Sequence, residues 1–266
     1  MIIRNKNFNW NVTTAFTSYR NEIVKTGVTG VAGEQKNDIG RGRYVGTPIN
    51  NIRTYVFDGI FQTDAINSAQ GSLGGTITPF QNVATLLAGA IRLKDVNGDG
   101  RINDDDQVIF ATDPKWFSSI STTVSYKSFD LLADLYFVEG TMKINPYLSS
   151  FNEASTLQSV RNGIKVDYWT PENPSNTFPR PNYSAAPANV SSLGLRESSY
   201  VRLRTLSLGY NMQNSLLDKM KLSGLRVYIT ASNLFTITDY KSYSPENNPN
   251  QFPDTKSFTF GLNIGL

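Results

Sequence analysis

The chain has 266 residues, of which 39% are hydrophobic, 18% charged and 12% aromatic, with a formal net charge of +3. The length leaves one large domain or two small ones open; the charged share lies below that of a typical soluble domain, and the basic residues are scattered, so no nucleic-acid partner is expected. Cysteine and histidine are both absent, which excludes disulfides, thiolate metal sites, the usual zinc ligands and the Ser/His and Cys/His nucleophiles, and leaves an enzyme only carboxylates, lysines and tyrosines.

No run approaches the roughly 18 apolar residues of a transmembrane helix, and the opening run MIIRNKN lacks the apolar segment of a signal peptide. Strict alternation over about ten residues is the rhythm of a membrane-crossing β-strand, and it recurs along the chain. Residues 8–17 place Phe8, Trp10, Val12, Thr14 and Phe16 on one face and Asn9, Asn11, Thr13 and Thr17 on the other. A connection over residues 20–50 follows, then a weaker strand over residues 53–62 (RTYVFDGIFQ).

The next long connection, residues 63–115, holds the sharpest local motif, KDVNGDGRINDDDQ. Asp95, Asn97 and Asp99 occupy positions one, three and five of a calcium-type loop, Gly100 the turn position, Arg101 the carbonyl position and Asp106 position twelve, where glutamate is usual. Five aspartates against one arginine in residues 95–106 repel one another unless a cation neutralises them, and the hard oxygen set favours Ca²⁺ in a structural role; a metal-free acidic turn is the competing reading.

Alternation returns at Trp116, Ile120, Thr122, Val124 and Tyr126, and after a tight link at Lys127 and Ser128 at Phe129, Leu131, Ala133, Leu135 and Phe137. The connection over residues 140–199 is rich in Pro, Asn, Gly and Ser. Its Tyr168, Trp169, Phe178 and Tyr183 are candidate ligand-facing aromatics; packing the loop's own core is the alternative. Glu153, Asp167 and Glu172 in the same stretch are weak candidates for a glycosidase carboxylate pair. Leu206, Leu208 and Tyr210 close another strand, Leu225, Val227, Ile229 and Ala231 carry the next, and Phe258, Phe260, Leu262, Ile264 and Leu266 the last.

Outer-membrane barrels combine short periplasmic turns with long extracellular loops. With the last strand running into the periplasm, residues 63–115, 140–199 and 236–256 fall outside the cell, 127–128 and 211–224 fall inside, and only 20–50 is long on the wrong side. The fold expected is all-β: an antiparallel transmembrane β-barrel segment of about seven strands with long extracellular loops, spanning residues 1–266, with the calcium-type loop 95–106 inside one outer loop.

Several runs resemble SusC/RagA-type TonB-dependent transporters of the Gram-negative outer membrane. IRLKDVNGDGRINDDD (residues 91–106), Pro114 with Lys115, and SYKSFDL (125–131) are similar to that family's calcium-like loop and succeeding hairpin. YVFDGIFQ (55–62), YWTPENPSNTFPRPN (168–182), SSYVRLRTLSLGY (198–210) and LRVYITASNLFTITDY (225–240), with Asn233, Leu234 and Phe235 inside the last, complete the likeness in family order. The resemblance implies a barrel of about 22 strands in outer-membrane lipid, a plug, energy through TonB, a SusD-like surface lipoprotein as lid, and oligosaccharide or peptide substrates. It leads to the expectation of a C-terminal fragment, without plug or TonB-contacting segment, that neither folds uniquely nor imports anything by itself. A complete eight-stranded anchor or adhesin, a soluble calcium-dependent carbohydrate-binding protein and a carboxylate glycosidase stand as alternatives.

Overall fold

The computed structural model describes residues 2–30, 36–62, 88–100, 102–145, 148, 167–180, 189–212, 214–247 and 252–265. In chain order the strands are β1 (Ile3–Arg4), β2 (Phe8–Ser18), β3 (Asn51–Thr54), β4 (Phe57–Ile60), β5 (Ile91–Leu93), β6 (Val108–Ala111), β7 (Trp116–Tyr126), β8 (Phe129–Glu139), β9 (Met142–Ile144), β10 (Leu195–Glu197), β11 (Tyr200–Asn211), β12 (Gly224–Ile237) and β13 (Ser257–Gly265). Two short helices, α1 (Ser191–Gly194) and α2 (Asn214–Met220), accompany them. No helix among the described residues is long and apolar enough to cross a membrane, which has no bearing on crossing by strands.

Seven strands form one antiparallel sheet in the order β1-β2-β7-β8-β11-β12-β13. All but β1 have the nine or more residues that a tilted strand needs to cross the hydrocarbon layer. The register keeps the alternation in phase across the sheet. Val124 lies opposite Trp10 on one side and Leu131 on the other, Leu131 pairs with Leu208 and Leu208 with Ile229, and Ile229 pairs with Phe260. One face is therefore apolar from β2 to β13, and the other carries Asn, Ser, Thr and a few charges.

Residues 5–7, 127–128 and 212–223 join the sheet strands at one end, and residues 19–115, 140–199 and 238–256 at the other. All the long connections lie on one side. The expected strand at residues 53–62 is not part of the sheet: β3 and β4 have four residues each and pair with β6 and β5. Gly59, at φ +121, breaks the run, and Tyr55 and Ile60 are buried in a separate core instead of facing lipid. Residues 19–115 are thus a single connection between adjacent strands, and the long connection on the wrong side disappears.

By its own contacts the chain divides into two compact units. Met1–Arg20, Pro114–Thr141 and Glu197–Leu266 make up the sheet unit; Asn21–Asp113 and Met142–Arg196 make up the loop unit. The loop unit has a conventional core of Tyr55, Ile60, Ile91, Leu93, Ile102, Trp169 and Leu193. Side chains far apart in sequence close it: the Trp169 indole N–H donates to Gln62 Oε1 at 3.0 Å, and the Ile60 amide donates to Asn176 Oδ1 at 2.7 Å.

Candidate functional site

The two faces of the sheet unit have opposite chemistry. On the apolar face Phe260 is 78% exposed, Phe16 67% and Ile237 65%. A water-soluble sheet would cover such a continuous surface; hydrocarbon solvates it without cost. Aromatic rows bound it. Near the short connections Phe8 lies opposite Tyr126, Tyr126 opposite Phe129 and Phe129 opposite Tyr210, with the last two rings 4.9 Å apart. Towards the long connections Phe16 and Phe137 flank Ser118, and Phe16 stacks on Trp116 at 5.7 Å. From Tyr126 to Trp116 β7 covers about 33 Å of extended chain, or about 25 Å across the membrane at a strand tilt of about 40°, close to the ~25 Å apolar band between the aromatic girdles of an outer-membrane barrel.

The opposite face holds the polar apparatus. Arg226 on β12 reaches across β11 to Asp130 on β8, with Nη2 2.6 Å from Oδ2 and Nε 3.1 Å from Oδ1, and the Asn211 amide also donates to Asp130 at 3.0 Å. Gly209 lies between them, and a Cβ there would collide with both partners, so the glycine makes room for the bridge. Nearer the long connections the 6%-exposed Arg202 side chain donates to Glu246 at 2.7 Å and to Asp254 at 2.6 Å, and to Thr236 at 3.0 Å. Ser244 and Asn247 donate to the same Asp254. This ties the connection of residues 238–256 back to the polar face. Phe117, Tyr136 and Tyr200 form an aromatic row there, with centroids 6.3 and 6.2 Å apart, and the Arg204 guanidinium lies 3.3 Å from the Tyr136 centroid. A cavity of about 220 Å³ opens at this end, lined by Trp116, Phe137, Glu139, Tyr200, Ile237 and Asp239.

The calcium-type loop belongs to the loop unit. Asp95 receives the Gly98 and Gly100 amides at 2.7 and 2.8 Å, both glycines having positive φ, which an L side chain adopts only with strain. Asp106 is fully buried and takes the Val96 amide on one oxygen and the Asn103 amide on the other, at 2.9 and 2.8 Å. Asn97 and Asp99 bond to each other and are exposed; Arg101 lies outside the described residues. Each carboxylate oxygen holding one N–H keeps a second lone pair, so the oxygen-only donor set fits a hard cation, although among the described residues no three acidic side chains converge on one point.

Of the expected ligand-facing aromatics, Trp169 is buried and Phe178 packs against the same core; Tyr168 is exposed, and Tyr183 is outside the described residues. Among the weak carboxylate candidates, Asp167 accepts from Asn173, Ser175 and Thr177 at 2.8–3.4 Å. These bonds, that from Asn173 foremost, hold its carboxyl below the ordinary value, the wrong direction for a general acid. Glu172 is exposed, and Glu153 lies outside the described residues. Sequence reasoning missed the polar-face pairs: Arg202, Arg226 and Asp130 lie on a mostly neutral face, and their partners come from another strand or from the connection of residues 238–256.

An antiparallel sheet with a lipid-compatible outside, a polar inside and its long connections all at one end defines the class, a wall segment of an outer-membrane β-barrel. The chain is SusC/RagA-like, related along almost its whole length to TonB-dependent outer-membrane transporters. It is 26% identical to TonB-dependent receptor P3 and 27% identical to TonB-dependent receptor P26, both of Formosa agariphila, each over 98% of the chain but only 27% and 28% of the relative. It is also 26% identical to TonB-dependent receptor SusC of Bacteroides thetaiotaomicron, over 64% of the chain and 17% of SusC. No family model matches the chain. Among solved structures it shares its fold, at 22% identity, with part of the RagAB peptide transporter, with a TM-score of 0.70 over 100% of the chain and 28% of the other; the RagAB peptide importer in its open-open state gives 0.68.

Proposed function

We propose that these residues form part of the wall and outer mouth of a longer nutrient transporter. That transporter imports oligosaccharides or peptides across the outer membrane, is energised through TonB and works with a SusD-like surface lipoprotein. The observation that carries this reading is the two-faced sheet, apolar and exposed on one side and polar on the other, in register across seven strands. Among the described residues no further strand pairs with the outer edges of β1 and β13; an unpaired backbone group costs several kcal/mol in hydrocarbon, and the remainder of the parent barrel supplies the partners.

Calcium serves the loop unit structurally. Asp95, Asn97, Asp99 and Asp106, with the Arg101 carbonyl, supply its oxygens, and the ion neutralises their mutual repulsion; extracellular sites of this kind bind at about 10⁻⁴ to 10⁻³ M. The reading is tested by uptake of labelled oligosaccharides and peptides in cells producing the full-length transporter, cells lacking it and cells lacking TonB. Uptake lost in both deletions is expected; uptake unchanged in either contradicts it. Thermal melting of the purified transporter at 5 mM CaCl₂ against 5 mM EGTA is expected to show a higher midpoint with calcium, abolished by Asp106→Asn.

A further inference from the structure

On the polar face of β8, β11 and β12 the charged side chains are Asp130, Asp134, Arg202, Arg204 and Arg226. Three are satisfied: Arg226 by Asp130, and Arg202 by Glu246 and Asp254. Arg204 and Asp134 have no ion pair among the described residues, either with each other or with a third group. An unpaired charge on a half-enclosed wall loses hydration without compensation, and the same three strands supply partners elsewhere. The pair therefore stands out against its own surroundings.

The backbone places the two charges together. β11 carries a bulge between Leu203 and Thr205, and Thr205 is the residue opposite Asp134. Arg204 is the inserted residue, which turns two successive side chains of β11 towards the polar face. Its guanidinium carbon lies over the Tyr136 ring, 3.3 Å from the centroid, and Phe117 and Tyr200 flank that ring. A guanidinium stacked this way has lost most of its rotamer freedom, and its N–H edge remains available for a carboxylate in bidentate geometry. The ring face that would otherwise stack on a sugar is covered by Arg204. A held cation edge and a free carboxylate at one level of the wall match a solute carrying both charges better than a neutral glycan.

We propose that Arg204 and Asp134 form a contact for a zwitterionic solute on the inner wall, Arg204 taking the solute's carboxylate and Asp134 its ammonium group. The contact rests on the transporter reading and narrows it to solutes of peptide type. In the intact transporter in detergent, isothermal titration with dialanine, whose termini are close enough to reach both side chains, is expected to show saturable binding that weakens about tenfold on amidating the peptide's C-terminus and about tenfold on acetylating its N-terminus. Arg204→Gln is expected to reproduce the first loss and add nothing to it, Asp134→Asn to do the same for the second, and Arg204→Lys to fall between, since groups in direct contact are not additive. Absence of dialanine binding, equal binding of the blocked peptides, or tighter binding of maltose overturns the proposal. So does an Arg204→Gln variant that lowers the melting midpoint and leaves peptide affinity unchanged, because the guanidinium then serves another part of the barrel. Failure of the transporter reading is recognised separately, by an unmodified protein that does not fractionate with the outer membrane.

Discussion

The sheet unit and the loop unit use the same residue types in opposite directions. In the loop unit Trp169, Ile60 and Leu93 are buried and polar groups reach the surface, as in a domain that folds in water. In the sheet unit Phe258, Phe260, Leu262 and Ile264 point outwards, more than half exposed, and ion pairs occupy the inner face. Apolarity alone does not say which way a side chain faces; period and length do, because only strands that keep a two-residue rhythm for nine residues or more present an unbroken apolar surface.

Substitutions separate the two logics, the largest effect coming from the loop unit's core. Trp169→Ala removes the largest buried side chain of that cluster together with its hydrogen bond to Gln62, a loss of about 3–5 kcal/mol. Limited proteolysis is expected to open the loop unit, and the band shift between boiled and unboiled samples is expected to persist; loss of both would mean that the units are not separable. Phe260→Arg, at the middle of β13 on the apolar face, is expected to cost about 2–4 kcal/mol in a lipid-refolding titration, and Thr259→Arg on the inner face much less. Equal costs would break the distinction between the faces.

Arg226→Leu leaves Asp130 without its cation across β11 and is expected to cost about 1.5–3 kcal/mol, the range for hydrogen bonds to charged groups, with Asp130→Asn in the same background recovering part of it. The smallest effect is a pH dependence in the loop unit. Asp167 titrates below its ordinary value because Asn173, Ser175 and Thr177 bond to the ionised form; the stabilisation is present at neutral pH and is lost as pH falls through the depressed value. Protease sensitivity near residues 167–178 is expected to rise only under acid conditions, and Asp167→Asn is expected to remove the transition.

Much of the sheet was legible because β2 and β13 alternate cleanly and β7 and β8 nearly so, with Phe117, Leu132, Tyr136 and Val138 as the apolar or aromatic exceptions on the polar face. β11 was legible only from Leu206 onwards because the bulge at Arg204 reverses its phase: Val201 and Leu203 share the apolar face with Leu206, Leu208 and Tyr210. β12 is irregular near Asn233, whose φ of +51 lies beside the position where its register with β11 slips. β1 is too short to show any period. Residues 53–62 misled because a short apolar run fits a buried strand of any sheet; what sends them to the loop unit is Trp169, Asn176 and Leu193, more than a hundred residues away. The inner-face pairs were hidden for the same reason, since Asp130 meets Arg226 only through cross-strand register.

The central claim is that the alternating apolar face meets lipid. Single-cysteine variants at positions 257–264 of the intact protein in lipid bilayers, labelled with a fluorophore and exposed to a bilayer-confined quencher, test it directly. Strong quenching at 258, 260, 262 and 264 with weak quenching at 257, 259, 261 and 263 is predicted; uniform quenching, or the reverse alternation, contradicts it.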